Sequence, residues 1–291
     1  MDRLGFYLLL PWIYLISLLP FWLLYRFADG IFFLLYYFPG YRKKIVMRNL
    51  RNSFPEKTEE EIHRIAKKFY QYFADLVLES LKLLTISPTE LKKHISMPDT
   101  SPFNTYFKAN QSVVVIMGHF GNWEWAGACF ALKKLHPLYV IYHPLANPHF
   151  DNLVKHMRTR FGNRIYAMKE ATRGILKNQD QVSATTFIAD QSPSPKNAYW
   201  TRFLNQDTPI FLGPEKIAKK LNFPVIYVSV KRIGRGQYRI DNELLFAHPK
   251  NTQDFEISAK HTKKLEQDIR DYPETWLWTH RRWKYKKVQP A

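Results

Sequence analysis

The chain contains one cysteine, Cys129. No internal disulfide is open to it, which fits a reducing compartment. No activating base is identifiable beside it, so it reads as core rather than nucleophile. Neither His-Glu-x-x-His nor Cys-x-x-Cys occurs, and the histidines do not cluster at ligand spacing. No metal site is therefore expected. Internal repeats and low-complexity tracts are absent as well. Acidic residues are few: 25 Asp+Glu stand against 43 Lys+Arg, for a formal net charge of +18. Such a surplus draws nucleic acid, acidic proteins or anionic lipid. Aromatic residues make up 16% of the chain and interleave with the basic ones. That pattern suits a membrane surface as well as it suits nucleic acid. At 291 residues, one sizeable core can form.

Uncharged length is concentrated at the start. Leu4 to Leu24 runs 21 residues without a charge, long enough as a helix to cross about 30 Å of hydrocarbon. Pro11 and Pro20 interrupt it, so a kinked span and a deep monotopic anchor are both compatible with the run. A cleaved signal peptide is disfavoured, because only Asp2 and Arg3 precede the run and no small-residue cleavage site follows. Gly30 to Phe38 is a second apolar stretch, too short to span. Arg26, Arg42, Lys43, Lys44, Arg48 and Arg51 come next, and positive-inside logic puts the remainder in the cytoplasm. The expectation is an anchor with a basic juxtamembrane segment over residues 1–50 and a cytoplasmic domain over 51–291.

Residues 58–84 read as an amphipathic helix, with Thr58 and Glu61 forming a capping box. From Ser112 onward strands and helices alternate. Strands are expected at 113–117, 138–142, 164–167, 183–188 and 225–230, and helices at 123–135, 149–161, 171–177 and 214–221. This rhythm predicts an α/β fold with a mainly parallel sheet flanked by helices. Residues 238–246 add an antiparallel edge strand, and 254–271 a late helix.

The most informative stretch is Val113 to Trp125. A buried strand, 113–117, runs into Gly118-His119-Phe120-Gly121, and Asn122 caps the following helix. Within one helix, five residues would rotate His119 and Glu124 about 500° apart. With His119 outside the helix, the Glu124 carboxylate can fold back to the imidazole. The pair then reads as a general base and its orienter beside helix N–H groups. With no side-chain nucleophile, such a base suits attack by the substrate's own hydroxyl. The bland alternative is a turn histidine and a helix-capping glutamate. Asp190-Gln191 ends another apolar strand and falls near His119 if the two strands are neighbours; it either binds a polar headgroup, braces the site or simply opens a loop. Trp276 to Lys287 mixes aromatic and basic residues in a composition open to nucleic acid, membrane or phosphate.

Taken together, these motifs resemble the lipid A secondary acyltransferases, the lauroyl and myristoyl transferases within the lysophospholipid acyltransferase superfamily. The resemblance rests on an N-terminal anchor, Gly-His-Phe-Gly-Asn-Trp-Glu, Asp190-Gln191, and the ending Trp-Leu-Trp-Thr-His-Arg-Arg-Trp-Lys. It implies His119 as general base with Glu124 as partner. It implies Asn122, Lys169, Asp190, Gln191, Arg281 and Arg282 as substrate-binding residues, the cations holding the lipid's phosphates. Acyl-carrier protein is the implied donor and a lipid A precursor the implied acceptor, at the cytoplasmic face of a bacterial inner membrane. No metal, diffusible cofactor or nucleic-acid partner is implied, the acyl thioester being a co-substrate. Phe203-Leu204-Asn205-Gln206 departs from the Phe-Phe-Gly common in relatives. Two alternatives stay open: acyl transfer to a lysophospholipid, aminolipid or other glycolipid, and a non-enzymatic protein that binds anionic lipid or nucleic acid.

Overall fold

A computed structural model describes residues 3–38 and 40–287; Asp2, which precedes the apolar run, lies outside them. In chain order the elements are α1 (Arg3–Leu18), α2 (Phe21–Tyr37), α3 (Lys43–Ser53), α4 (Glu59–Lys82), α5 (Pro88–His94), β1 (Ile95–Ser96), α6 (Ser101–Lys108), β2 (Val113–Met117), α7 (Trp123–Ala131) and β3 (Leu138–Tyr142). There follow α8 (Pro148–Thr159), β4 (Arg164–Ala167), α9 (Ala171–Lys177), β5 (Ala184–Ile188), β6 (Tyr199–Phe203), β7 (Gln206–Ile210), α10 (Gly213–Leu221), β8 (Val225–Gly234), β9 (Gln237–Phe246) and α11 (Glu256–Asp271).

Seven strands form one sheet in the order β1-β9-β8-β2-β5-β3-β4. Strands β8, β2, β5, β3 and β4 are mutually parallel, while β9 runs antiparallel to β8. The expected edge position of residues 238–246 needs correcting, because the two-residue β1 pairs outside β9. All five residues of β2 are buried, as a strand covered on both faces requires. Its side chains alternate between layers. Val114 and Ile116 join α3, α4, α10 and α11 on one face, and Val113, Val115 and Met117 join α5, α6 and α7 on the other. The expected capping box on α4 is formed, with Thr58 and Glu61 bonding reciprocally.

The N-terminal run is not one helix. Pro20 has no backbone N–H to carry helix α1 onward, so the chain breaks after Leu18 and restarts at Phe21. Among the described residues no helix is long and apolar enough to cross a membrane, so the spanning alternative for the expected anchor is not supported. Instead α2 packs along α4. Arg235, in the β8–β9 turn, bonds both Asp75 of α4 and Asp29 of α2.

Candidate active site

Strands β2 and β5 pair in register, Met117 opposite Ile188. Continuing two residues past each brings His119 beside Asp190, at the carboxyl edge where parallel α/β sheets bind ligands. His119 Nδ1 lies 2.7 Å from Asp190 Oδ1. The His119 backbone N–H and the Trp276 indole N–H both donate to Asp190 Oδ2, at 2.9 and 2.7 Å. Burial pushes the Asp190 carboxyl up, but the neighbouring imidazole and these donors outweigh it and hold its pKa at about 2. An ionised carboxylate only accepts hydrogen bonds, so Nδ1 carries a proton, and in the neutral ring the lone pair is on Nε2. Nε2 faces the site mouth, 3.4 Å from Gln191 Nε2. The His119 side chain is 18% exposed and Asp190 only 3%, a buried anion beneath an accessible base. The Trp123 ring meets the imidazole edge-on, with centroids 5.0 Å apart.

The orienting carboxylate beside His119 is thus Asp190, and the expected Glu124 pairing is not formed. Glu124 lies in the first turn of α7 and turns to α8, where Arg158 Nε donates to Oε2 at 2.9 Å and Nη2 donates to Oε1. A bidentate guanidinium fork holds a carboxylate more firmly than a single imidazole N–H. Nothing in the composition of α8 marks Arg158, and sequence reasoning missed it.

Several other expected roles change. Asn122 is fully buried, and its Oδ1 caps the Trp125 N–H while Nδ2 donates to Glu79 Oε2 at 2.8 Å. Glu79 also takes the hydroxyls of Tyr25 and Tyr238. Burial raises its pKa; the hydrogen bond from Tyr238 works against that. Asn122 therefore fastens the turn that carries His119 to α4, and, being fully buried, it offers substrate no exposed group. Arg282 is 1% exposed, and its Nη2 donates to the Pro209 carbonyl at 2.7 Å; it holds no surface phosphate. Trp276 and Trp278 draw this segment inward, Trp276 bridging to Phe120 and the Leu277 N–H bonding the His119 carbonyl. Arg281 and Lys169 are exposed. Lys169 follows β4, three strands from β2, roughly 14 Å away at the usual strand spacing. Cys129 is buried with a raised pKa, as core cysteines are. Leu204 and Asn205, both at positive φ, make the tight turn of the β6–β7 hairpin, and Phe203 packs against Trp276.

Behind Trp123 an apolar cavity of about 50 Å3 runs under α7, lined by Met117, Trp123, Ala126, Gly127, Phe130 and Ile188 among others. Among the described residues there is no cluster of His, Cys, Asp and Glu able to hold a metal.

A family model described as bacterial lipid A biosynthesis acyltransferase matches residues 2–285. The lipid A biosynthesis palmitoleoyltransferase of Escherichia coli (strain K12) is 22% identical over 254 residues, covering 85% of this chain and 80% of that protein. The lauroyltransferase of the same organism is 22% identical over 277 residues, covering 94% and 89%. Its myristoyltransferase is 22% identical over 158 residues, covering 53% and 48%.

Proposed function

The chain belongs to the bacterial lipid A biosynthesis acyltransferases, and within that family we propose that it moves a fatty acyl group from acyl-carrier protein to a lipid A precursor, with His119 as general base. The observation that carries the chemistry is the 2.7 Å contact between His119 Nδ1 and Asp190. Nε2 takes the proton of an acceptor hydroxyl as its oxygen attacks the thioester carbonyl. The new C–O bond forms and the C–S bond breaks, and the departing thiolate collects the proton from Nε2–H. Asp190 keeps the productive tautomer and favours the transient imidazolium. Arg158, which Glu124 holds through a bidentate pair, is our candidate for the cation that stabilises the developing oxyanion. The apolar cavity behind Trp123 is where we place the entry for the hydrocarbon. The net charge of +18 supports an acidic carrier protein as donor. Lys169 and Arg281 remain for the acceptor's phosphates.

The test is mass spectrometry of an under-acylated lipid A precursor incubated with the protein and acyl-loaded carrier protein or acyl-coenzyme A. One added acyl group from the carrier alone supports the full reading. Transfer from coenzyme A alone overturns the donor, and acylation of a lysophospholipid instead overturns the acceptor.

The protein reaches its substrate by lying on the membrane at the cytoplasmic face. Leu4, Leu8, Trp12 and Leu18 of α1 and Trp22 of α2 are each more than 60% exposed, and Arg26, Arg42, Lys44 and Arg48 follow to meet anionic headgroups. Changing Trp12 and Trp22 together to glutamate is expected to lower binding to anionic vesicles at least about tenfold in a flotation assay, while the melting temperature stays within a few degrees of the parent's.

A further inference from the structure

Behind Asp190, on the side away from His119, Asp190, His261, Thr262 and Arg282 share a small void with the apolar side chains of Ala189, Phe203, Ile210 and Leu265. It measures about 10 Å3, close to what one water molecule needs. Four polar atoms on the residues around it have no partner among the described residues: Arg282 Nε and Nη1, His261 Nε2 and Thr262 Oγ1. Two unpaired N–H groups on a buried guanidinium are costly, and three different elements bring their groups to the same void.

We infer that a single buried water bridges Arg282 to Asp190, making Arg282 a positioning residue for the His119–Asp190 pair. The water's four hydrogen bonds can be filled. It accepts from one of the two divergent Arg282 N–H groups and from the Thr262 hydroxyl. It donates to His261 Nε2 and to Asp190 Oδ1, which among the described residues takes His119 Nδ1. Burial and the nearby guanidinium keep His261 neutral, with its pKa lowered to about 4, so its ring can accept. Burial also lowers Arg282, to about 10, which leaves it cationic at neutral pH. The bridge presents a fixed positive charge to the far side of Asp190 and keeps the carboxylate from turning away from the imidazole.

A sign follows. A cation here disfavours protonation of the pair, so removing it moves the acid limb of kcat/KM to higher pH. Asp190 is faced by His119 from the β2–α7 turn, His261 from α11, Tyr227 from β8, and His280 and Arg282 from the C-terminal segment, with Lys284 beside His280. His280 is held down to about 4 by burial first and accepts the Ser192 N–H, which leaves Arg282 as the buried cation that interacts with the carboxylate.

The inference rests on the His119 reading for its kinetics but not for its structure. The direct test is a crystal structure of the full chain in detergent, with a second crystal soaked in bromide. One ordered oxygen within hydrogen-bond distance of Arg282 and Asp190, without bromide anomalous signal, is expected. A dry void or a bromide peak overturns the bridge. For kinetics, Arg282→Met is expected to raise the acid limb by about 0.5–1 pH unit. Thr262→Val, close in shape and suited to fold if Arg282→Met does not, is expected to raise it less. An acid limb unmoved in both folded variants overturns the positioning role even if the water is present.

Discussion

His119→Ala is expected to lower kcat/KM for acyl transfer by about 10²–10⁴-fold, the range a positioned general base contributes, while leaving a folded protein. The imidazole is partly exposed and stands on a turn, so its loss hollows no core. Asp190 keeps the donors from the His119 backbone and from Trp276, and Trp123 loses only an edge-on ring contact. A modest stability loss, about 1–2 kcal/mol for one charge-assisted hydrogen bond and one ring contact, separates this outcome from unfolding. The check is initial rates of acyl gain by mass spectrometry, paired with a thermal melt of the same preparation.

Gly121→Ala is expected to damage stability most. Gly121 sits at φ +59°, and a Cβ built there lies 1.8 Å from the Val230 carbonyl oxygen and 2.8 Å from its carbon. A left-handed non-glycine residue costs roughly 1–2 kcal/mol, and here the obstacle is backbone of β8, which cannot rotate aside. Gly121 also gives its N–H to Thr275 and takes the Tyr72 hydroxyl on its carbonyl, so any shift strains three elements at once. A loss of about 4 kcal/mol or more is expected, read by chemical denaturation, with activity falling in whatever fraction stays folded. Gly30→Ala is the control. It lies within α2 with nothing within 4 Å of an added Cβ, and a neutral or slightly stabilising change is expected there.

The strands of the central sheet were legible because each is a short run of β-branched or aromatic residues between turn signals; 113–117, 138–142 and 164–167 match strands to the residue. The position of His119 at a strand's end followed from the same pattern. Its partner followed only in part. The sequence puts Asp190 near His119 on the condition that their strands pair, which the parallel β2–β5 register meets. With no local pattern encoding that pairing across 71 residues, the orienting role falls, in the sequence, to Glu124, which is close by. The C-terminal stretch misled for a related reason. Composition gives charge but not burial, and Trp276 and Trp278 carry Arg282 into the interior beside the catalytic turn. Glu79 and Asp75 were invisible for the same cause, being acids on an amphipathic helix whose partners come from α2, α7 and the β8–β9 hairpin. In the N-terminal run the interruption expected at Pro20 is where the helix stops, whereas Pro11 is accommodated inside α1.

Profiles of kcat/KM against pH for Asp190→Asn and Glu124→Gln test most directly which carboxylate serves His119. Asp190→Asn removes the anion bonded to the base, so protonation of His119 becomes harder. Its profile is expected to fall about 100-fold or more, with the acid limb moved to lower pH. Glu124→Gln loosens Arg158, and its rate is expected to fall with the acid limb unmoved. The opposite pattern, a shifted limb in Glu124→Gln and an unmoved one in Asp190→Asn, would contradict the His119–Asp190 pair as the catalytic unit.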